Sequence, residues 1–182
     1  MTGTRHRALE AALALVGEQG IRALTHARVD ERAGLPKGST SNWFRTRDAL
    51  IAGVASWLAE SERADFAAHE MPPIHTPDQL IDALTQMITV ETGRFASRTR
   101  ARYALFLESA GDPELLGPLL VQRRLYVEWT VALLAAAGAR APEQAARALM
   151  AAGDGIAFHR LTVDPDAEIR PVIERAVRAS MD

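Results

Sequence analysis

Small polar side chains are grouped between residues 37 and 43 of this sequence. An ammonium, several hydroxyls and a carboxamide follow one another there, and a glycine adds no bulk. Groups of this kind can hydrogen-bond the edges of base pairs in the major groove of duplex DNA when a short, firmly held helix presents them. The residues with this chemistry are Lys37, Gly38, Ser39, Ser41 and Asn42.

Two short helices and a tight turn are predicted around these polar residues. Apolar spacing places the helices over about 26–33 and 37–43, and Thr25 can cap the first of them. Gly34 suits the turn, because a Cβ would be costly there. The residues expected to pack inward are Val29, Ala33, Leu35 and Phe44. The pattern predicts a DNA-reading helix-turn-helix, since a helical hairpin of another kind rarely exposes so small and polar a second helix.

Charge is divided unevenly along the chain, although the net charge is only −2. Residues 1–47 hold eight Lys or Arg against four Asp or Glu, whereas residues 48–182 hold thirteen against nineteen. The basic first segment favours contact with a polyanion, and chance clustering of solvated side chains is the alternative. Arg45 and Arg47 follow the polar residues, where cations can meet backbone phosphates, and Arg28 is added to the predicted DNA contacts.

Apolar residues recur at helical spacing along nearly the whole chain, and no convincing strand alternation is present. An all-α fold of about nine helices is therefore predicted. Two helix starts have strong capping sequences, Thr76-Pro77-Asp78 and Asp112-Pro113-Glu114. The predicted domains are a helix-turn-helix over residues 1–47 and a second helical domain over residues 48–182. The predicted helices cover about 4–19, 26–33, 37–43, 48–68, 77–95, 98–110, 113–137, 143–162 and 167–180.

The middle of the chain carries most of the bulky aromatic residues. An apolar pocket with a few polar groups is the usual design of a small-molecule site, although each of these rings can equally belong to a core. Glu91 interrupts an apolar face and needs a partner, either a ligand cation or hydroxyl, or an arginine such as Arg94 or Arg98. The candidate ligand-binding residues are Trp57, Met87, Glu91, Phe95, Tyr103, Phe106 and Trp129.

Several classes of function are disfavoured by what the sequence lacks. Cysteine is absent, which excludes disulfides and thiol catalysis and fits a reducing cytoplasm. The five histidines show no metal-ligand spacing, and no phosphate loop, nucleophile elbow or dinucleotide fingerprint is present. Neither a signal peptide nor a run of about 18 apolar residues is found. We therefore expect no enzyme activity, cofactor, metal or membrane contact.

The stretch from Thr4 to Val54 resembles the DNA-binding domain of TetR/AcrR-type repressors. The residues that follow the family's order and spacing are Arg7, Leu9, Ala11-Ala12, Gly20, Thr25, Ala33 to Ser39, Phe44 and Arg47 to Leu50. Leu24-Thr25-His26 and Arg47-Asp48-Ala49-Leu50 resemble a subgroup of that family. The remaining residues match the family only in length and helical layout.

The resemblance implies roles for individual residues. Lys37, Gly38 and Ser39 would face the major groove. The residues implied to touch phosphates or orient the reading helix are Thr25, His26, Ser41, Asn42, Trp43 and Arg47. The sequence departs from the family pattern at two places. Ser39-Thr40-Ser41 replaces the usual "T-L-Y" and so lacks the common tyrosine. Asp30 occupies a position where a small apolar residue is common.

The resemblance also implies a homodimer in which the last two long helices pair across a two-fold axis as a four-helix bundle. Half-sites about one helical turn (~34 Å) apart on an operator require such a dimer. The candidate interface residues are Leu149, Met150, Gly153, Ile156, Ala157, Ile169, Val172 and Ile173. The alternative is that this apolar stripe packs within one chain.

The function these features favour is a transcriptional regulator. We expect a repressor that a small apolar or amphipathic effector releases from its operator. One alternative is a DNA-binding regulator that takes no ligand. The other, from a different class, is a small helical enzyme or ligand-binding protein.

Overall fold

A computed structural model of the chain describes residues 3–68, 73–110, 112 and 114–181. These residues form nine α-helices and one 3₁₀ turn at Ile21–Ala23, without a strand, so the all-α prediction is confirmed. No helix in this described part is long and apolar enough to cross a membrane. The helices are α1 (Thr4–Gln19), α2 (His26–Ala33), α3 (Ser39–Trp43), α4 (Arg47–Ala68), α5 (Pro77–Thr92), α6 (Ala96–Glu108), α7 (Gly117–Ala136), α8 (Pro142–Thr162) and α9 (Arg170–Ala179).

Several helix boundaries differ from the predicted ones, among them the start of α9, which is Arg170 and not about residue 167. α3 begins at Ser39 rather than at residue 37, because Gly38 has a φ of 90°, which an α-helix does not accept. α5 ends at Thr92, several residues earlier than expected. α7 begins at Gly117, after a turn over 114–116. The predicted breaks and helix start at Met71, Pro72, Gly111 and Pro113 lie outside the described residues.

The first of two compact units contains Met1–His69 and Ser97–Gln122. α1, α2, α4 and α6 bury their apolar faces in one core there. Fully buried side chains of this core include Leu24, Val29, Leu50, Leu58 and Leu105. Glu62 pairs with Arg102 at 2.6 Å, and Asp65 pairs with Arg98, so two ion pairs join α4 to α6.

The domain boundary predicted at residue 47 therefore lies inside the first compact unit and does not separate the two units. α4 begins at Arg47, and its Leu50, Ile51 and Val54 are buried in the same core as α1 and α2. Which residues carry the DNA contacts is a separate question, and the division into 1–47 and 48–182 stays a prediction.

The second unit contains Glu70–Ala96 and Arg123–Asp182. α5, α8 and α9 pack with the end of α7 around an apolar core that includes Leu80, Leu134 and Ile173. The Thr76 hydroxyl accepts from the Gln79 N–H at 3.3 Å, and the Gln79 side chain accepts from the Thr76 N–H at 3.2 Å. This reciprocal pair is a capping box, and it confirms the predicted start of α5.

Most residues predicted to contact a partner chain are buried in this second unit instead. Five of the eight belong to its core and are less than a tenth exposed: Leu149, Ile156, Ala157, Ile169 and Ile173. Gly153 faces α5, because a Cβ added there would lie 3.6 Å from Ile88 Cδ1. Met150 Sδ accepts from Thr130 Oγ1 at 3.5 Å, and Val172, at 37%, is the one exposed residue of the eight. These residues pack against their own chain, and their contact with a partner chain stays a prediction.

Candidate DNA-binding surface

α2, the following turn and α3 form the helix-turn-helix framework that the sequence predicts. Thr25 Oγ1 accepts from the Arg28 N–H at 3.4 Å and caps α2. Gly34 ends α2 in the left-handed conformation, with φ 62°. The side chains predicted to face inward do so, since Val29, Leu35 and Phe44 are buried and Ala33 packs against the same core.

α3 and the turn before it leave most of their polar side chains exposed. Lys37, Ser41 and Asn42 are exposed, and Ser39 is half-buried. Trp43 at the end of α3 is 38% exposed, although large rings are usually covered. The five side chains therefore lie on a surface that a second molecule can reach.

The two serines of α3 already donate hydrogen bonds within the chain. Ser39 Oγ donates to the Pro36 carbonyl at 2.6 Å, and Ser41 Oγ donates to the Gly38 carbonyl at 2.8 Å. Each serine oxygen keeps lone pairs that can accept from a base or an ordered water. Donors for base edges or phosphates then come from the Lys37 ammonium and the Asn42 carboxamide.

Asp30 on α2 makes contacts that the sequence analysis missed. Its side chain is 3% exposed, and one carboxylate oxygen accepts from the Thr40 N–H at 2.8 Å and from the Thr40 hydroxyl at 2.6 Å. The other oxygen accepts from the Gly38 N–H at 2.8 Å. Burial by itself raises the pKa of the Asp30 carboxyl, but the hydrogen bonds from Thr40 and Gly38 and the nearby His26 outweigh it and lower the pKa below 3.8. The carboxylate is therefore charged and holds the start of α3.

A signal for this contact exists in the sequence. Asp30 occupies a position that is commonly small and apolar, and Thr40 occupies the leucine position of "T-L-Y". Each residue alone is only a departure from the pattern, and their pairing needs the turn between them to have a known geometry.

His26 holds the opposite end of α3. Its Nε2 donates to the carbonyl of Phe44, the residue that follows the last turn of the helix. His26 lies four positions before Asp30, so both residues stand on the same side of α2. The half-buried ring therefore contacts the end of α3, and the roles that the resemblance implies for it stay predictions.

Two arginines predicted to contact DNA have partners within the chain. Arg47 donates to Glu108 Oε1 at 2.8 Å and to the Ile21 carbonyl at 3.4 Å. Arg28 donates to the Gln19 side chain. Both arginines are exposed, so these bonds can exchange for contacts with phosphate at small cost.

Five exposed cations near the helix-turn-helix make no ion pair with the other described residues: Arg5, Arg7, Arg22, Lys37 and Arg45. The Arg5 guanidinium lies 5.5 Å from the centroid of the Phe44 ring. Unpaired cations of this kind are available to a polyanion, and they agree with the basic charge of residues 1–47.

The candidate ligand-binding residues are all half-buried and lie in both units. Trp57, Tyr103 and Phe106 belong to the first unit. Their counterparts in the second unit are Met87, Glu91, Phe95 and Trp129. Glu91 has an interaction partner within the chain, which agrees with the alternative of internal pairing.

A small cavity lies between α1 and α4 in the first unit. It measures about 110 Å³ and is lined by Arg5, His6, Leu9, Gly53, Ser56, Trp57 and Glu60. The rings of His6 and Trp57 meet edge to face, with 4.2 Å between their centroids. Sites for drug-sized ligands measure roughly 300–1,000 Å³, so this cavity is too small for one. No group of three or more His, Asp or Glu suited to a metal occurs among the described residues.

Known proteins resemble this chain over most of its length. The family model described as "Tetracyclin repressor-like, C-terminal domain" matches residues 75–182. The HTH-type transcriptional regulator BetI of Rhizobium meliloti (strain 1021) is 30% identical over 159 residues, which cover 86% of this chain and 77% of BetI.

Solved structures share the fold. The multidrug binding protein EbrR complexed with ethidium has a TM-score of 0.70 and 32% identity, with 95% of this chain and 97% of EbrR covered. EbrR complexes with proflavin and malachite green match at TM-scores of 0.63 and 0.64, with 29% and 31% identity and at least 94% of each chain covered. A TetR-family regulator from Streptomyces coelicolor has a TM-score of 0.81, 22% identity, and 98% and 96% coverage, which supports the fold alone.

Proposed function

Because the chain belongs to the TetR family of transcriptional regulators, we propose that it is a homodimeric repressor that a small effector releases from its operator. Proteins of this family regulate transcription and are not enzymes, so the enzymatic alternative is dropped. A DNA-binding regulator without a ligand remains the competing proposal. Release requires that the effector bind the DNA-incompetent state more tightly than the competent one.

The exposed polar set at α3 carries the DNA-binding part of the proposal. We propose that Lys37 and Ser39, with Gly38 allowing close approach, contact base edges, while Thr25, Ser41, Asn42 and Trp43 contact phosphates. The test is a fluorescence anisotropy titration of the duplex upstream of the chain's own gene. Lys37→Ala with Ser39→Ala is expected to lower the affinity for this duplex about 30-fold or more.

A matched control for this double variant is Arg147→Ala, which removes an exposed cation of α8, far along the chain from α3. It is expected to bind like the wild type. Circular dichroism must show the same helix content for all three proteins. Unchanged operator affinity in the Lys37 and Ser39 double variant would refute the groove contacts, and absence of any salt-sensitive, sequence-specific binding by the wild type would refute the proposed function.

Arg47 is proposed to exchange Glu108 for a backbone phosphate when DNA binds. The side chains of the pair are 45% and 34% exposed, so breaking it costs at most about 1 kcal/mol. Glu108→Gln is therefore expected to strengthen DNA binding by up to about five-fold without changing sequence preference. Weaker binding would indicate that Glu108 positions Arg47 instead.

We propose an amphipathic aromatic cation as the effector. EbrR is described as a multidrug binding protein, and its complexes contain ethidium, proflavin or malachite green. These three dyes are delocalised aromatic cations, which bind to aromatic faces and carboxylates. The candidate ligand-binding residues of this chain offer both kinds of group.

Ethidium fluorescence titrations test this effector class. Trp57→Leu and Trp129→Leu remove one aromatic face from each unit and serve as controls for each other. Loss of about ten-fold or more in dye affinity in one variant alone would identify the unit that binds the dye. Dye binding must also lower operator affinity. Failure of all three dyes to bind or to raise the melting temperature would favour the regulator without a ligand.

The dimer is proposed to form through exposed apolar residues of the last two helices rather than through the buried ones. Phe158 is 49% exposed on α8, and Val172 is 37% exposed on α9. Phe158→Glu is expected to convert a dimer into a monomer in analytical ultracentrifugation at micromolar concentration. Leu107→Glu, at a 74% exposed position of α6, is the control. Dissociation by the control variant alone would place the interface elsewhere.

We propose that residues 1–47 carry the DNA contacts and residues 48–182 the effector and dimer contacts. Cross-links from bound operator that fall mainly beyond residue 47 would contradict this division.

Absence of cysteine fits a reducing compartment, and we place the protein in the cytoplasm. A fluorescent fusion found outside the cytoplasm would contradict that location.

A further inference from the structure

α3 is too short to hold its own position. It has five residues, which form little more than one hydrogen-bonded turn. Helices shorter than about 12 residues are marginal in water, because the first turn fixes many dihedral angles for one hydrogen bond. Contacts from outside the helix must therefore fix both its formation and its rotation about its own axis.

The Asp30 carboxylate supplies these contacts at the start of α3. Its two oxygens accept three hydrogen bonds, from the Gly38 N–H, the Thr40 N–H and the Thr40 hydroxyl, at 2.6–2.8 Å. The Thr40 N–H belongs to the first turn and the Gly38 N–H lies just before it, so no helical carbonyl is available to either group. Thr40 is fully buried and Asp30 nearly so, so water does not replace these bonds.

Hydrogen bonds to a charged acceptor depend on direction, whereas apolar contacts do not. Three donors that point at one carboxylate restrict the rotation of α3 as well as its distance from α2. A small apolar residue at position 30 and leucine at position 40, which the family pattern makes common, would restrict mainly the distance. Ser41, Asn42 and Trp43 then keep a fixed direction on the exposed side.

We propose that Asp30 and Thr40 form a buried pair that sets the rotation of α3, which makes both of them positioning residues for operator recognition. The proposal rests on the proposed DNA-binding function. Asp30 itself does not touch DNA, because Gly38 and Thr40 use its oxygens. Its effect is expected in the discrimination between operator and random duplex rather than in general affinity for DNA.

The first test compares specific with non-specific binding. Asp30→Asn keeps the shape of the side chain but has one acceptor oxygen instead of two, so it loses either the Gly38 or the Thr40 contact. We expect operator affinity to fall about ten-fold or more, while affinity for a random duplex changes less than about two-fold. Glu31→Gln, the neighbouring and exposed acid of α2, is the charge-matched control and is expected to behave like the wild type.

A rescue variant separates positioning from simple loss of stability. Asp30→Ala with Thr40→Leu replaces the polar pair by the apolar pair of the family pattern. Each single change leaves an unmatched partner, so both single variants are expected to lose operator affinity and to melt at a lower temperature. The double variant is expected to recover most of the lost melting temperature but not the preference for operator over random duplex, because apolar contacts restrict the distance of α3 from α2 and not its rotation. Additive losses of melting temperature would overturn the pairing, and a recovered operator preference would overturn the role of bond direction.

A third measurement does not depend on DNA. In a Trp57→Phe, Trp129→Phe background, Trp43 at the end of α3 is the only tryptophan. Asp30→Asn is expected to raise acrylamide quenching of Trp43 and to lower its fluorescence anisotropy, while Glu31→Gln leaves both unchanged. Unchanged Trp43 signals in Asp30→Asn would overturn this inference alone. A wild-type chain without operator preference would overturn the proposed function, and with it the recognition role of the pair.

Discussion

α3 and α5 are held in place by different kinds of contact. α5 has 16 residues, a cap made by its own Thr76 and Gln79, and a buried apolar side that includes Leu80. α3 has five residues, and polar side chains of α2 hydrogen-bond both of its ends. The contacts of α3 join residues eight to eighteen positions apart, whereas the cap of α5 lies within four.

Each of the two helices needs the kind of contact that its length allows. A long helix gains stability from the apolar area that it buries, and its local cap removes the cost of unpaired N–H groups. A helix of one turn buries too little area, so buried directional bonds decide whether it forms and which way it faces. The helix proposed to read DNA is thus the one whose orientation depends on single polar side chains.

The largest effect is expected from a core residue of α5. Leu80 is fully buried, so Leu80→Ala should lower the free energy of unfolding by about 2–5 kcal/mol in urea titrations. Operator affinity of the folded protein should not change. The control is Gln86→Ala on the exposed side of the same helix. A loss below about 1 kcal/mol for Leu80→Ala would mean that apolar burial is not what stabilises α5.

Asp30→Asn should have the next largest effect. It should lower the free energy of unfolding by about 1–3 kcal/mol at neutral pH, because it leaves a buried N–H unpaired. The lowered pKa of Asp30 gives this contribution a pH dependence. The contribution is complete above the ordinary value of 3.8 and is lost as the pH falls through the lower pKa of the folded state. The difference between wild type and variant should therefore be constant at neutral pH and shrink only in strong acid. A difference that already shrinks near neutral pH would contradict a charged Asp30.

Loss of the local cap of α5 should have a smaller effect on stability. Thr76→Ala is expected to lower the free energy of unfolding by about 1 kcal/mol, because it removes the acceptor for the Gln79 N–H. Thr89→Ala in the last turn of α5 is the comparison, and it should be neutral or slightly stabilising, because alanine is the best helix former. Equal losses in thermal melts of the two variants would show that the capping box contributes nothing specific.

An exposed ion pair of α5 should have the smallest effect. Arg178 of α9 pairs with Asp78 in the first turn of α5, and both side chains are at least half exposed. Arg178→Ala should cost less than about 1 kcal/mol, and high salt should remove most of that difference. A loss as large as that of Asp30→Asn would show that burial is not what distinguishes the two polar contacts.

Local features of the fold could be predicted well. The cap at Thr25, the turn at Gly34 and the start of α5 at Thr76 depend on neighbouring residues, and the structure confirms each of them. The start of α3 was misplaced because Gly38 takes a left-handed conformation, and an apolar pattern does not report the sign of φ.

The apolar stripe of α8 and α9 shows a second limit. Periodicity identifies the side of a helix that is covered, but it does not identify what covers it. Leu149, Ile156 and Ile173 have the pattern of an interface and are buried in their own chain. Phe158 is the candidate proposed above, because its side chain is 49% exposed.

Local spacing and composition were enough to predict the helices, the helix-turn-helix, the basic N-terminal segment and the resemblance to a family of regulators. The hydrogen bonds of Asp30 with Gly38 and Thr40, of His26 with Phe44 and of Arg47 with Glu108 became known from the folded chain alone. Such contacts depend on the path of the chain between their residues. A buried carboxylate needs nearby donors, but its position in the sequence does not say which donors the fold brings to it.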